Sequence, residues 1–348
     1  MTVALGPLPQ PIDTSGSVAP PADSIWRQAV KSRRVLIGGG ILLATFLLCV
    51  VTLPFTLSSS SSLYYDKQDS SVVRFGPFQG SVAGAPIGSD LRRRDLRPIA
   101  WMGYDMLGRS IFARCLLGGT ISLAVGIAAA TISVFLGVSV GLFAGYRGGW
   151  IDATLMRTVD VLYGLPYVLM VVLFKIAFET PLQKLFDHRP VNNWFGPAVA
   201  ANLVVMFMAI GLVSWLTMAR VVRGQVLSIR SQPYIEACRA IGLPQGRIFL
   251  RHILPNLIGP ITVYATLTVP SAILQESFLS FLGVGVNPPL PTWGSLASDG
   301  IASLSPVKIY WWMLVFPCLL LVITLLSLNF MGDGLRDLFD PKKEAAKI

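Results

Sequence analysis

Charge is what this chain has least of. Of 348 residues only 13% are Asp, Glu, Lys or Arg, against about a quarter in a soluble protein of ordinary composition. That shortage, with 53% hydrophobic residues, points to a membrane-embedded protein. Histidine is nearly missing too, with only His188 and His252. No HExxH occurs and no serine or cysteine sits in a recognisable nucleophile setting, so no catalytic constellation emerges. His188 stands alone among loop charges and offers no metal-ligand set. The four cysteines, Cys49, Cys115, Cys238 and Cys318, form no CxxC pair. Their spacing supports neither a zinc site nor a disulfide framework, and fits buried apolar thiols. No Walker-type phosphate loop is present: Gly38-Gly39-Gly40 has no lysine after it and lies within an apolar run. Energy for any transport must therefore come from a partner or an ion gradient. The formal charge of +10 could suggest nucleic acid. However, the basic residues lie in loops and membrane flanks without interleaved aromatics, which sets nucleic acid aside.

What the chain does have is long apolar runs. Residues 1–26 are rich in Pro, Ser, Ala and Gly and read as a disordered stretch within an N-terminal tail, 1–34. Arg27, Lys31, Arg33 and Arg34 precede the uncharged run 35–57, long enough to span a bilayer and too long for a cleaved signal core. The basic flank places the N-terminus in the cytoplasm. The polar stretch 58–114 must then lie outside, although its run Arg92-Arg93-Arg94 sits badly with the positive-inside rule.

Residues 115–332 are expected to hold five further spans. The second, within Leu116 to Tyr146, is rich in small residues that let helices approach closely in lipid. A turn at Tyr146 to Asp152 leads to Met156-Arg157 on the cytoplasmic side. The third span runs from about Val159 to Phe178, followed by an outer loop from Thr180 to Asn193. Lys175 could line a polar pathway; alternatively it snorkels to the interface and pairs with Glu179, the favoured reading. The fourth span is Trp194 to Ala219. The fifth, about Leu257 to Leu282, is interrupted by Pro260 and Pro270. Glu276 near its outer end is either a pathway residue or a group hydrogen-bonded to nearby backbone. The glycine- and proline-rich stretch from Phe278 to Asp299 predicts a bent segment that re-enters the membrane and helps gate it. The sixth span is Ile309 to about Met331, leaving a cytoplasmic tail, 333–348.

Between the fourth and fifth spans lies a polar island, about 231–256. Six arginines from Arg220 to Arg251 face one acid, Glu236, a strong cytoplasmic signal. Periodicity predicts a short helix from about Pro233 to Ile241, a stop at Gly242, a restart at Pro244 and a second helical run reaching Pro255. Such a hairpin is suited to docking on something outside the membrane.

The island resembles the EAA loop of bacterial ATP-binding-cassette (ABC) importer permeases. It reads Glu236-Ala237-Cys238, then Gly242, then His252-Ile253-Leu254-Pro255, with Cys238 in place of the second alanine. Gly103-Tyr104-Asp105-Met106-Leu107-Gly108-Arg109 is similar to the GTDxLGRD element of the dipeptide/oligopeptide/nickel subfamily, with Ser110 for its final Asp. Ala144 to Asp152 followed by Met156-Arg157 and Asp160, and Glu276 to Gly283 with Asn287-Pro288-Pro289 and Trp293-Gly294, look like the same subfamily. The match covers about residues 100–340.

The resemblance implies an all-α integral membrane protein of six transmembrane helices with the type I ABC importer permease fold. It implies a C-type permease working with a second, non-identical permease, two ABC ATPase subunits and an extracytoplasmic substrate-binding protein in the cytoplasmic membrane. ATP and magnesium would be used by the ATPases, and no cofactor would be bound by this chain. Glu236, Ala237, Cys238, Gly242, His252, Leu254 and Pro255 would form the coupling surface. Glu276, Asp105, Arg109 and Asp160 are candidates for the pathway or gate. Peptide is the expected cargo; nickel chelates or another small solute are the alternative. A secondary transporter driven by an ion gradient would call for internal repeats and paired midplane charges, and no convincing repeat is present.

Overall fold

A computed structural model describes residues 32–81, 92–187, 196–304 and 309–339. Inside a bilayer each backbone polar group must find its partner within the protein, which favours helices as the crossing elements. Five helices among the described residues are long and apolar enough to cross, and six if one bent pair counts as a single span. The elements are α1 (Arg33–Leu57), β1 (Gln79–Ser81), β2 (Arg92–Arg94), α2 (Ile111–Arg147), α3 (Gly149–Tyr163), α4 (Tyr167–Asp187) and α5 (Pro197–Arg230). They continue with α6 (Pro233–Ala240), α7 (Gln245–Ile248), α8 (Leu254–Phe281), α9 (Trp293–Ala302) and α10 (Trp312–Phe339).

Helix α2 is the axis of the bundle, packed against α1, α5, α8 and α9. The reason is written in its small residues. Gly137, Gly141 and Gly145 recur every fourth position and so share one face of the helix. A Cβ there would come within 2.5 Å of the Met218 Cβ, 2.6 Å of the Ala219 carbonyl and 2.8 Å of the Val226 Cβ, respectively. Helix α5 therefore lies directly on the α2 backbone, the close approach by which helices associate in lipid. Further along the same two helices a cluster including Leu117, Val125, Met206, Ile210 and Leu279 is buried, while residues such as Leu36, Leu47 and Val51 of α1 face outward. Apolar side chains pointing outward are expected where the surroundings are lipid.

The stretch expected as a polar loop, 58–114, carries a folded cap. Strands β1 and β2 pair antiparallel with Gln79 opposite Arg94, so the described part of the arginine run is strand. Val72, Phe75, Ala100 and Tyr104 form a small core of its own. The Tyr65 N–H donates to the Thr56 carbonyl, the Ile111 N–H to Gly103, and the Trp312 indole N–H to Tyr104. Those bonds fasten the cap to the ends of α1, α2 and α10.

The third span departs from expectation. It begins at Gly149 and breaks between α3 and α4 by 94°, at Gly164-Leu165-Pro166. Proline disfavours helical geometry in the residue before it and supplies no N–H, so the break is local chemistry. Helix α4 also runs on through Thr180 to Asp187, replacing the first half of the expected outer loop. His188, Arg189 and residues 1–26 lie outside the described residues. At the other end α10 continues to Phe339, several residues beyond the expected limit near Met331.

Candidate functional site

The polar island folds as two short helices against the end of the bundle away from the cap. Pro233 opens α6 at its first turn, where its missing N–H costs nothing. At the other end the Gly242 N–H donates to the Arg239 carbonyl (3.0 Å) and the Leu243 N–H to the Cys238 carbonyl (3.1 Å). Gly242 has φ +78°, a left-handed conformation that glycine adopts freely. Together these make a Schellman stop, whose usual accompaniment is an apolar contact between the residues flanking it. Cys238 and Leu243 occupy those two positions and both pack on the same buried cluster. The substitution of cysteine for alanine thus falls on the position that supplies this contact.

After Pro244 the chain restarts as α7, then widens into a π turn, Phe249–Ile253, that runs without interruption into α8. The second run therefore merges with the fifth span instead of ending at Pro255. Pro255 lacks an N–H and its ring crowds the carbonyl four residues back, so one extra residue per turn accommodates it. Ile235, Ile248, Ile253 and Leu257 are buried with Met218, Val222 and Val226 of α5, fixing the hairpin to the bundle. Its outer face is open: Glu236, Ala237, Gly242 and Pro255 are exposed, His252 and Leu254 half-buried, and Ile241 is 76% exposed.

Two ion pairs bind the broken third span to α5 beside the hairpin. Arg223 meets Asp152 through two nitrogens at 3.0 and 2.6 Å. Arg220 meets Asp160 at 2.9 Å and lies over the Tyr163 ring at 4.1 Å. Asp160 is thereby placed at the hairpin end, exposed and paired.

At the cap end the other candidates are enclosed. Asp105 accepts from the backbone N–H groups of Leu107 and Arg109, from Arg109 Nε (2.7 Å) and from Arg114 Nη1 (2.8 Å). Arg109 also reaches Asp66, and Arg114 reaches Asp299. Glu276 is fully buried, accepting from the hydroxyls of Ser122 (2.9 Å), Ser280 (2.6 Å) and Ser277. Its partners are hydroxyls, not the nearby backbone. Asp105 and Glu276 are thus buried inside hydrogen-bonded knots, and Arg109 is partly exposed at the edge of the first.

Lys175 differs from the favoured expectation. Its ammonium donates to the carbonyls of Val284 (3.1 Å) and Gly285 (2.8 Å) and to Asn287 Oδ1 (3.0 Å). Asn287 then donates to Glu179 (2.9 Å), as does Asn202 (3.1 Å), and the Asn287 N–H donates to Asn202 Oδ1. Lys175 and Glu179 thus share Asn287 and hold the bent segment after α8. Asn202, Asn287, Asp152 and Arg223 were not among the sequence candidates. A lone asparagine within the apolar run of α5 was the available signal for the first; the others pair only through the fold.

A six-span helical subunit that ties off its buried charges at one end and presents a glycine-turned helical hairpin at the other has the form of a transport permease driven through a docked partner. Residues 137–345 match the family of binding-protein-dependent transport system inner membrane components. The chain belongs to that family, the permeases of ABC importers, which work in the inner membrane with an ATPase and a binding protein. The dipeptide transport system permease protein DppC of Bacillus subtilis (strain 168) is 38% identical over 319 residues, 91% of this chain and 84% of that protein. The oligopeptide transport system permease protein OppC of Escherichia coli (strain K12) is 37% identical over 322 residues, 92% of each chain. Among solved structures, an inward-facing form of the MetNI methionine ABC transporter aligns with 65% of this chain and 96% of that one, at 19% identity and a TM-score of 0.48. That likeness is too loose to transfer detail.

Proposed function

We propose that this chain forms one half of a peptide translocation pathway, the other half coming from a second, non-identical permease. The observation that carries the cargo is the pair of relatives named for dipeptide and oligopeptide transport, each matched over more than nine-tenths of this chain. The arginine excess places the hairpin end in the cytoplasm. The start of α1 and the end of α10 meet through Arg34 and Asp337 at 2.9 Å, which supports the same side for both termini, the cytoplasm. A binding protein would then deliver the peptide on the cap side.

The hairpin is the coupling element. Glu236, Ala237, Cys238 and Gly242 would seat in a groove of one of two ABC ATPases, which bind ATP and magnesium; this chain binds no cofactor. Exposed Tyr234 and Ile241 would supply apolar contact and exposed Glu236 an acidic one. His252, Leu254 and Pro255 carry the displacement onward, because the π turn fuses the hairpin to α8. That helix of 28 residues is about 42 Å long. Its far end holds Glu276 and, through the Ser280 hydroxyl that accepts from the Val286 N–H, the bent segment. Closure of the ATPases would move the hairpin, and the rigid helix would pass that movement to the cap end, a coupled two-state change.

Purification of the native complex from its own membrane tests this reading. ATPase subunits, a second permease and a binding protein carrying a peptide are expected. A bound nickel chelate or sugar would remove the peptide assignment. Recovery without any ATPase would overturn the coupling role itself.

A further inference from the structure

One edge of the cap carries apolar side chains that its own small core leaves outside. Phe78, Leu96 and Trp101 are 46%, 63% and 44% exposed. Short contacts gather them. The Phe78 N–H donates to the Ala100 carbonyl (2.7 Å) and the Asp95 N–H to the Phe78 carbonyl (2.8 Å). The Trp101 indole N–H donates to the Leu96 carbonyl at 2.9 Å. The polar tip of that ring is therefore tied off, and what it shows outward is apolar. Trp101 also lies against Phe112, with ring centroids 5.4 Å apart, and Phe112 is the one residue in the first two turns of α2 that is not buried. The edge is thus continuous with the wall of a membrane-spanning helix, at the point where that helix begins. A second tryptophan marks the same level. Trp311 is exposed at the start of α10, next to Trp312, whose indole reaches the Tyr104 carbonyl of the cap. Tryptophan concentrates where membrane meets water. Arg93, Arg94 and Arg97 are exposed along this same edge, while the one acid among them, Asp95, is buried and paired with Arg97.

We propose that this edge of the cap rests on the lipid surface, with Phe78, Leu96 and Trp101 at the boundary of headgroups and acyl chains and Arg93 and Arg94 on lipid phosphates. Apolar area and charge act together in such binding: the first gains by leaving water, and the second is drawn to anionic headgroups. The planar fork of arginine suits a phosphate in particular. A soluble protein covering Trp101 would have to work at the foot of the cap, beside Phe112, where α2 enters the bilayer and lipid is already present. The arginine run that the positive-inside rule leaves unexplained then has a partner of opposite charge. The cap is fastened twice, by its hydrogen bonds to the ends of α1, α2 and α10 and by this edge to the membrane. Its height above the bilayer is thereby fixed while the hairpin end moves.

Fluorescence of the full chain in nanodiscs tests this. The Trp101 contribution is the emission of the wild type less that of Trp101→Phe, which keeps a ring against Phe112. The discs contain phosphatidylglycerol and a phosphatidylcholine carrying bromine, a quencher, near either the headgroup end or the methyl end of its acyl chains. We expect the Trp101 contribution to fall about twofold with the shallow bromine and less with the deep one, as for a ring held at headgroup level. The double variant Arg93→Gln with Arg94→Gln, which alters exposed side chains only, should weaken that quenching. No quenching by either lipid overturns the proposal, as does quenching that the double variant leaves unchanged. Emission indifferent to both lipids but shifted by added binding protein also overturns it, and gives the edge to that protein. Amide exchange of residues 93–101 in the wild type reads the same contact without a variant. Slower exchange in discs with phosphatidylglycerol than in discs without it supports the contact, and equal exchange overturns it. Quenching reports depth and not side, so failure here would leave the peptide reading and the orientation of the chain standing.

Discussion

The two ends of this molecule handle charge in opposite ways. At the cap end the buried charges are spent inside the chain, while Lys67, Arg93 and Arg94 stay exposed: Asp105 gathers Arg109 and Arg114, and Glu276 is ringed by serine hydroxyls. At the hairpin end Arg239 lines a cavity with no acid among the described residues, Glu236 stands exposed, and Ile241 faces outward. Buried polar groups are strongly destabilising unless satisfied, so the first end is built to hold its shape. The second leaves donors and apolar surface for something else to meet. One end is a fixed frame and the other is a handle.

The sharpest way to break that contrast is to damage the handle without touching the frame. Proline cannot adopt the φ of +78° at Gly242, so Gly242→Pro destroys the Schellman stop. We expect ATP-dependent uptake in reconstituted vesicles to vanish while membrane insertion and the cap stay intact; Glu236→Lys, which puts a like charge among the arginines, does the same. Uptake retained in both would remove the hairpin from the coupling role. The converse damage is Asp105→Ala, which leaves Arg114 (side chain 6% exposed) with Asp299 at 3.4 Å as its one acidic partner among the described residues. Breaking a buried pair this way costs about 3–5 kcal/mol. Thermal unfolding of the purified chain measures it, and a change below about 1 kcal/mol would show the knot to be ornamental.

That same contrast explains what could be read from the residues. The hairpin was legible because its signals are local: Pro233 at a helix start, Gly242 at a stop, Pro244 at a restart. The spans were legible because bilayer thickness fixes their length and composition. The break at Pro166 carried a local signal too, but it was masked by the unbroken apolar run around it. The cap's frame was not legible. Ser122 and Glu276 are 154 positions apart, and Arg114 and Asp299 are 185 apart; no spacing rule links such pairs. The end built from distant contacts was thus the harder one to foresee.

Lys175 joins the frame to the bent segment and offers a smaller test. Lys175→Met keeps an apolar stem of similar reach but removes three donors. The carbonyls of Val284 and Gly285 and the Asn287 side-chain oxygen then lose a charged partner, at about 1–3 kcal/mol. Amide exchange across residues 282–292 should quicken about tenfold or more, with exchange in α6 unchanged. Equal quickening at both places would mean that the two ends are not separate units of stability.

The smallest effect belongs to the edge of the cap. The Arg97 guanidinium beside Asp95, with nitrogens at 3.0 and 2.7 Å, holds that carboxyl below the ordinary carboxylate range. A carboxyl depressed by folding adds stability above its unfolded value near pH 3.9, and that contribution is lost as pH falls through the folded value. The Arg97 side chain is 66% exposed, so screening by water keeps the gain under about 1 kcal/mol. Limited proteolysis of the cap should therefore distinguish the wild type from Asp95→Asn slightly at pH 6, and cease to distinguish them once the carboxyl is protonated. A difference that persists in acid would show that Asp95 acts through something other than its charge, since an asparagine there can still accept the Arg97 backbone N–H. The cap would then be a frame held by geometry alone, and the contrast with the arginine-rich hairpin would be one of shape before it is one of charge.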